Sequence, residues 1–214
     1  MSDRLRALVE PAQTAVLTME LQEGVVGQYA AMPDLAALVA AEGLLERVGR
    51  LCETARQAGA RVVHCTAEFR ADGAGSVVNN RIFAMNVRAR RERGATPIDI
   101  GQPGVALMPQ LGWSDRDIKV PRMHGMTPFT GTELDAVLRN CGVQTVVATG
   151  VSVNLGVLGM VMSALDLGYQ IVLPVDAVVG VPMEYARAVI DHSLSLVTTL
   201  TTVDELASVW RRDG

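Results

Sequence analysis

The 214-residue sequence predicts an α/β fold, a three-layer αβα sandwich of Rossmann-like type around a doubly wound, mainly parallel sheet of about six strands. Three observations predict it. Runs rich in Val, Leu and Ile recur along the chain and are continuous rather than alternating, which marks strands covered on both faces. Helical apolar patterns fall between several of these runs. The connections are short, and strands alternating with helices at such spacing form a parallel sheet between two helix layers.

The first strand is "TAVLTM" (14–19). From 34 to 58 one helix is expected, with Leu38, Leu45, Val48, Cys52 and Ala55 on one face, Glu46, Arg50, Glu53 and Arg56 elsewhere, and Gly59 where a terminating glycine belongs. "ARVVHCT" (60–66) and "DIKV" (117–120) are the next two strands. Between them, residues 67–116 carry many glycines, a weak helix around 80–92 and no clear strand. Long irregular segments of this kind cover an active site or join subunits. A helix then starts where Thr132 can cap and stops at Gly142, followed by the strand "QTVVATG" (144–150). Another helix follows Gly150 and ends at Gly168, ahead of the strands "QIVLPV" (170–175) and "SLVTTL" (195–200) and a last helix in "DELASVWRR" (204–212). The chain 1–214 reads as a single domain.

Composition narrows the function. Apolar residues make up 49% of the chain, and 19 basic against 23 acidic residues leave a net charge of −4. The basic cluster "RARRERG" (88–94) contains Glu92 and lacks aromatics, so it reads as a solvated face and not as a nucleic-acid patch. Cys52, Cys65 and Cys141 are widely spaced and form neither a metal pair nor an even disulfide framework, which fits a cytoplasmic protein. The N-terminus has no apolar run of signal-peptide length and no stretch reaches the ~18 apolar residues of a membrane span. The expected partner is a small molecule, with neither nucleic acid nor membrane. Neither a phosphate loop nor a dinucleotide fingerprint is present, and no cofactor is expected.

Polar groups stand at the ends of the strands. Glu20 follows the first strand directly, and Lys119 lies inside "DIKVPR". Taken singly, these are a loop carboxylate in water and an edge lysine. Strand ends of a doubly wound sheet converge, however, and a carboxylate beside an ammonium in a cleft can hold and tune a proton. The third converging position is the helix start after Gly150, whose free N–H groups favour developing negative charge. That helix opens "VSVNLGVLGM", with Gly156 and Gly159 in its first turns although Gly is a poor helix former. The bland explanation is close packing of a neighbouring element, which we prefer for Gly159.

In this order the motifs "TAVLTMELQEGVVG", "IKVPRMHGMTPFTGTEL" and "VVATGVSVNLGVLGMVMSALDLGY…VDAVVG" resemble the isochorismatase-like hydrolase superfamily over roughly residues 12–180. The family includes nicotinamidases, other cysteine amidohydrolases and isochorismatases proper. The resemblance implies an isochorismatase-type fold and, in the amidase branch, a triad of Asp, Lys and nucleophilic Cys with an oxyanion hole after a cis peptide bond. Carried over by position, the Asp is Glu20, the Lys is Lys119, the Cys is Gly156, and the cis bond lies between Val151 and Ser152. Gly156 has no side chain to attack with, so the thioester route is closed there. Isochorismatases proper also place Gly at this position, and the resemblance implies that their carboxyl group protonates a vinyl ether while Gly makes room for substrate. Glu20 keeps the acid and moves it by one methylene, about 1.5 Å, where misplacements of about 1 Å can cost ~100-fold in rate. The resemblance further implies a homo-oligomer, a dimer or tetramer.

Around this centre, Gln22 is a candidate to orient Glu20, Arg81 with Arg70 and Asn80 to hold a substrate carboxylate, Phe129 and Met123 to form an apolar wall, and Ser152 to supply part of the anion site. Arg81 can equally be a surface residue of a short helix, and Asp176 more simply braces backbone. Cys65 is the nearest alternative thiol, yet His64 precedes it directly and adjacent strand residues face opposite ways. Cys52 and Cys141 are weaker candidates. No metal site is expected: "CTAEFRADG" offers Glu68 and Asp72 without His, and His124 and His192 are far apart. Three functions follow: a hydrolase working by acid/base chemistry without a covalent intermediate on a small, optionally carboxylated molecule, a catalytically silent binding or scaffold protein, and a cysteine amidohydrolase with a displaced thiol.

Overall fold

A computed structural model describes residues 2–211; Met1, residues 213–214 and Arg212, the end of the "DELASVWRR" stretch, lie outside the described residues. Seven strands form one sheet: β1 (Thr14–Met19), β2 (Arg61–Ala67), β3 (Ile118–Arg122), β4 (Thr145–Val151), β5 (Gln170–Pro174), β6 (Val178–Val179) and β7 (Thr199–Thr201). Their order is β3-β2-β1-β4-β5-β7, with β6 paired to the end of β4, and every pairing is parallel. The central strands β1 and β4 are buried along their whole length, which explains why their sequences are apolar without alternation.

Among the described residues, eight helices cover the sheet: α1 (Ser2–Leu8), α2 (Pro33–Ala41), α3 (Leu44–Ala58), α4 (Arg81–Arg93), α5 (Leu134–Asn140), α6 (Leu158–Asp166), α7 (Met183–His192) and α8 (Val203–Arg211). Two apolar cores result, one on each face. Val16, Val62 and Val147 meet Leu51 of α3 and Leu206 of α8, while Leu17, Val63 and Val146 meet Leu138 of α5, Met160 of α6 and Val189 of α7. Neighbours such as Val16 and Leu17 thus serve different layers, as the two-residue period of a strand requires.

The structure departs from the sequence reading in four places. The helix expected over 34–58 is two, broken at Gly43, whose φ of +60° lies in the left-handed region. The last strand is Thr199–Thr201, because Leu194–Leu196 is a 3₁₀ turn. α1, α7 and the short β6 were not anticipated. The helix after Gly150 begins as a π-helical turn, Val153–Val157, before continuing as α6.

The irregular segment resolves into a roof and a belt. Asn80 caps α4 by accepting from the Phe83 N–H at 3.0 Å, and Arg90 on the last turn pairs with the fully buried Asp99, which also accepts from the Thr96 N–H and hydroxyl. The belt then crosses the start of the chain at two glycines. The Gly24 N–H donates to the Gly104 carbonyl at 2.8 Å, and a methyl on Gly104 would lie 2.2 Å from the Pro97 oxygen.

The belt's far end is fixed by buried polar groups. Arg56 donates two hydrogen bonds to Asp117, at 3.1 and 2.7 Å, and Asp117 lies 3.3 Å from His64 Nε2, whose Nδ1 meets Thr18 Oγ1 at 2.8 Å. Burial pushes the His64 pKa down, with nearby Arg56 and Lys119 adding to the fall while Asp117 opposes it. Burial raises the Asp117 carboxyl, but Arg56, the Ser114 N–H and His64 more than offset this and leave it below its usual range; Asp99 is likewise lowered by Arg90 and Thr96 against burial. The unfolded chain therefore binds protons that the folded one refuses. His64 stabilises the fold above its ordinary pKa of about 6.5 and loses that contribution as pH falls through it, and the two carboxylates lose theirs below about 4. Melting temperature is expected to fall in two steps between pH 7.5 and 3, with His64→Gln removing the upper step. A flat profile from pH 7.5 to 5 in the unaltered chain would contradict this.

Candidate active site

β1 ends at Met19, and Glu20 turns the chain with φ at +54°, a left-handed conformation that costs a non-glycine residue roughly 1–2 kcal/mol. Its N–H donates to the Cys65 carbonyl at 2.9 Å, which ties the turn to the end of β2. Its Oε1 accepts a hydrogen bond from Arg122 Nη2. Arg122 is the last residue of β3 and its side chain is 4% exposed; its Nε donates to the Gly125 carbonyl at 2.9 Å, and its Nη1 has no partner. From the other side comes the end of β4, where the Val151–Ser152 peptide bond is cis. Ser152 donates to Asn154 Oδ1, and Asn154 Nδ2 donates to the Val181 carbonyl at 3.3 Å.

These groups line a cleft with about 260 Å³ of room. Glu20, Arg122, Ser152 and Gly156 are its polar end, Phe69, Ile98 and Met126 line its walls, and α4 contributes Ile82, Phe83, Met85, Asn86 and Ala89. The rings of Phe69 and Phe83 meet edge to face, with centroids 5.8 Å apart. A methyl on Gly156 would stand 3.0 Å from Met19 Cε and 3.1 Å from the Val151 oxygen. The space a side chain at 156 would need is thus partly filled by Met19, so the room expected above Gly156 is less than a missing side chain suggests.

Of the residues proposed from sequence, Glu20, Ser152 and Gly156 come together here. Lys119 does not join them. Its Nζ lies 2.5 Å from Glu68 Oε1 and 3.4 Å from the Val105 carbonyl, and it pairs in register with His64. The cation on Glu20 is Arg122, three residues further along β3 and so on the strand's opposite face. Gln22 is fully buried and does not touch Glu20. Its carboxamide accepts from the Ala67 N–H at 2.8 Å and donates to the carbonyls of Ala67 and Gly104 at 3.0 and 3.2 Å, clamping β2 to the belt. Arg81 is exposed at the start of α4 and is absent from the cleft lining. Phe129 is buried in the core with its ring 6.0 Å from that of Tyr169, and Met123 is 46% exposed, so Met126 takes the place proposed for them. Arg70 pairs with Asp72 in solvent, and Asp176 braces backbone by accepting from the Val203 N–H at 2.9 Å.

The thiols lie elsewhere. Cys65 is buried beneath the site, and burial pushes its pKa up to about 12, with Glu20 adding to the rise and Arg122 opposing it. Burial takes Cys52 to about 12 as well. Neither is a thiolate near neutral pH. Iodoacetamide is therefore expected to modify the native protein at Cys141 alone, the one partly exposed cysteine, and to leave ligand binding unchanged. Protection of Cys65 from alkylation by a ligand would contradict this. Among the described residues, no group of three or more His, Cys, Asp and Glu is arranged to hold a metal ion.

The cleft opens at the carboxyl ends of β1, β3 and β4, beside the strand from which the sheet order runs both ways, where open parallel sheets place their chemistry. A carboxylate–guanidinium pair stands there next to a helix start, between apolar walls. The Isochorismatase domain family matches residues 14–205, and the chain belongs to this family of hydrolases. It is 27% identical over 201 residues to "Uncharacterized isochorismatase family protein YecD" of Escherichia coli O157:H7, covering 90% of this chain and 94% of the relative. It is 27% identical over 179 residues to the ureidoacrylate amidohydrolase RutB of Rhizobium rhizogenes (strain K84 / ATCC BAA-868), covering 79% of this chain and 71% of that one. In structure it resembles an isochorismatase family protein from Desulfovibrio vulgaris subsp. vulgaris str. Hildenborough, with a TM-score of 0.78 at 22% identity over 94% of this chain and 99% of the other. Among the described residues no helix is long and apolar enough to cross a membrane.

Proposed function

We propose that the protein, acting as a single domain, hydrolyses a small, carboxylate-bearing molecule without a covalent cysteine intermediate, and that Glu20 moves the proton. The observation that carries this is the Glu20–Arg122 pair standing beside a glycine where the resembled amidases have their thiol. Arg122 is a permanent cation and gives up no proton. Proton transfer therefore falls to Glu20, as general base toward water or as general acid toward a leaving group. The unpartnered Arg122 Nη1 and the N–H groups opening the turn at Ser152 meet the negative charge that develops on the substrate. Gly156 keeps the floor low, and Ser152 holds its place through Asn154.

The reading calls for no cofactor. A reducing cytoplasm is in keeping with three free cysteines, and a homo-oligomer is in keeping with Met162 of α6, 46% exposed. The test measures 4-nitrophenyl acetate hydrolysis and pyruvate release from isochorismate by the unaltered chain and by Glu20→Gln. Ester hydrolysis lost in the variant supports Glu20 as base. Pyruvate release lost in the variant makes Glu20 the acid and isochorismate a substrate. Turnover of neither compound by the unaltered chain favours the catalytically silent binding protein.

A further inference from the structure

We propose that Asn86 of α4 is a specificity-determining residue, reading a second polar group on a small carboxylic acid whose first acceptor oxygen sits on Arg122 Nη1. The proposal rests on the anion-holding role given to Arg122 above. It starts from the placement of α4. Ile82, Asn86, Ala89 and Arg93 recur at helical spacing and all line the cleft, so they form one face of the helix. The Asn80 cap and the Arg90–Asp99 pair fix the rotation of that face.

On it Asn86 is out of character. Its neighbours Ile82, Phe83, Met85 and Ala89 are apolar, and Asn86 is half-buried with no hydrogen-bond partner. Its carboxamide makes no bond within the protein, so a ligand can take it up, and a leucine in its place would break none. A second polar group in the same cleft is also unsatisfied: Arg122 Nη1, on a side chain that is 96% buried. Arg93 at the rim is exposed and makes no ion pair, so with Arg122 against Glu20 the cleft carries a net positive charge. Asn86 on α4 and Arg122 at the polar end, in a cleft also lined by Phe69 and Phe83, describe a ligand with an anionic group, an apolar body and a hydroxyl or amide.

The experiment uses acids that cannot be hydrolysed, so its outcome is independent of turnover: calorimetric binding of benzoate, 3-hydroxybenzoate and 4-hydroxybenzoate to the unaltered chain and to Asn86→Leu. The unaltered chain is expected to bind one hydroxybenzoate roughly tenfold more tightly than benzoate, the value of one good hydrogen bond. In Asn86→Leu that preference disappears, benzoate binding is kept, and the melting temperature stays level or rises, which a structural asparagine would not permit. A preference unchanged in the variant overturns the proposal, as do a variant that melts lower and an unaltered chain that binds none of the three acids. The hydrolytic reading fails by a different result, the loss of Glu20 dependence in ester turnover.

Discussion

Replacing Arg122 by methionine is expected to lower the melting temperature by about 10 °C and to abolish binding of carboxylate ligands. The guanidinium is buried and Glu20 is only 16% exposed, so the change leaves a carboxylate without its partner in a nearly dry cleft. Breaking a buried pair from one side costs about 3–5 kcal/mol, and in a chain of this size each kcal/mol moves the midpoint by roughly 2–4 °C. The residual exposure of Glu20 argues for the lower end. Removing both charges, in Glu20→Gln with Arg122→Met, is expected to cost less than Arg122→Met alone, because no unpaired charge remains. Calorimetry on the two single variants and the double variant reads this directly. Additive losses would mean that the two side chains are not energetically coupled and would remove the pair as the centre of the site.

Glu20→Gln is expected to reduce turnover by about 10²–10⁴-fold, the usual contribution of a positioned acid or base, while the chain keeps its fold. Glutamine preserves shape and one hydrogen bond to Arg122 but cannot take a proton. Glu20→Asp gives a second, independent reading. Aspartate enters the left-handed region more readily than glutamate, so the backbone at φ +54° is not further strained, and stability should hold. The carboxylate nevertheless retreats by one methylene, and activity should fall by about 100-fold if the substrate is placed for the longer side chain. Equal activity in the aspartate variant would show that the reacting atoms are not held against Glu20.

Much of the sheet was legible because strands buried on both faces are apolar over most of their length, and β1, β2, β4 and β5 carry that signal around a few buried polar residues. β7 is a three-residue edge strand with Leu200 partly exposed, so its pattern was weak and its position slipped. The helix α7 left a signal in the spacing of Ala186, Val189 and Ile190 that the reading passed over. The break between α2 and α3 rested on one glycine, a residue that helices also tolerate.

The site was half legible. Glu20 and Gly156, which line the candidate cleft, stand out in the sequence because each sits at a strand or helix boundary. Arg122 was missed although it is written in "IKVPR", because which of two basic residues enters the cleft depends on the strand's phase, and only the pairing of Ala67 with Arg122 and His64 with Lys119 reveals that phase. Gln22 was assigned by its nearness in sequence to Glu20 and Arg81 by a resemblance, and neither reveals where a side chain ends up.

The parallel order β3-β2-β1-β4 also bears on how the protein is made. β1 emerges first from the ribosome and finds β2 within some fifty residues, but its other edge pairs Thr14 with Thr145, about 130 residues later. At the usual 5–20 residues per second, that edge stays open for roughly 7–26 s during synthesis. For that time a largely apolar strand presents unpaired backbone to whatever is near, and the chain's solubility in the cell depends on what shields β1 until β4 arrives.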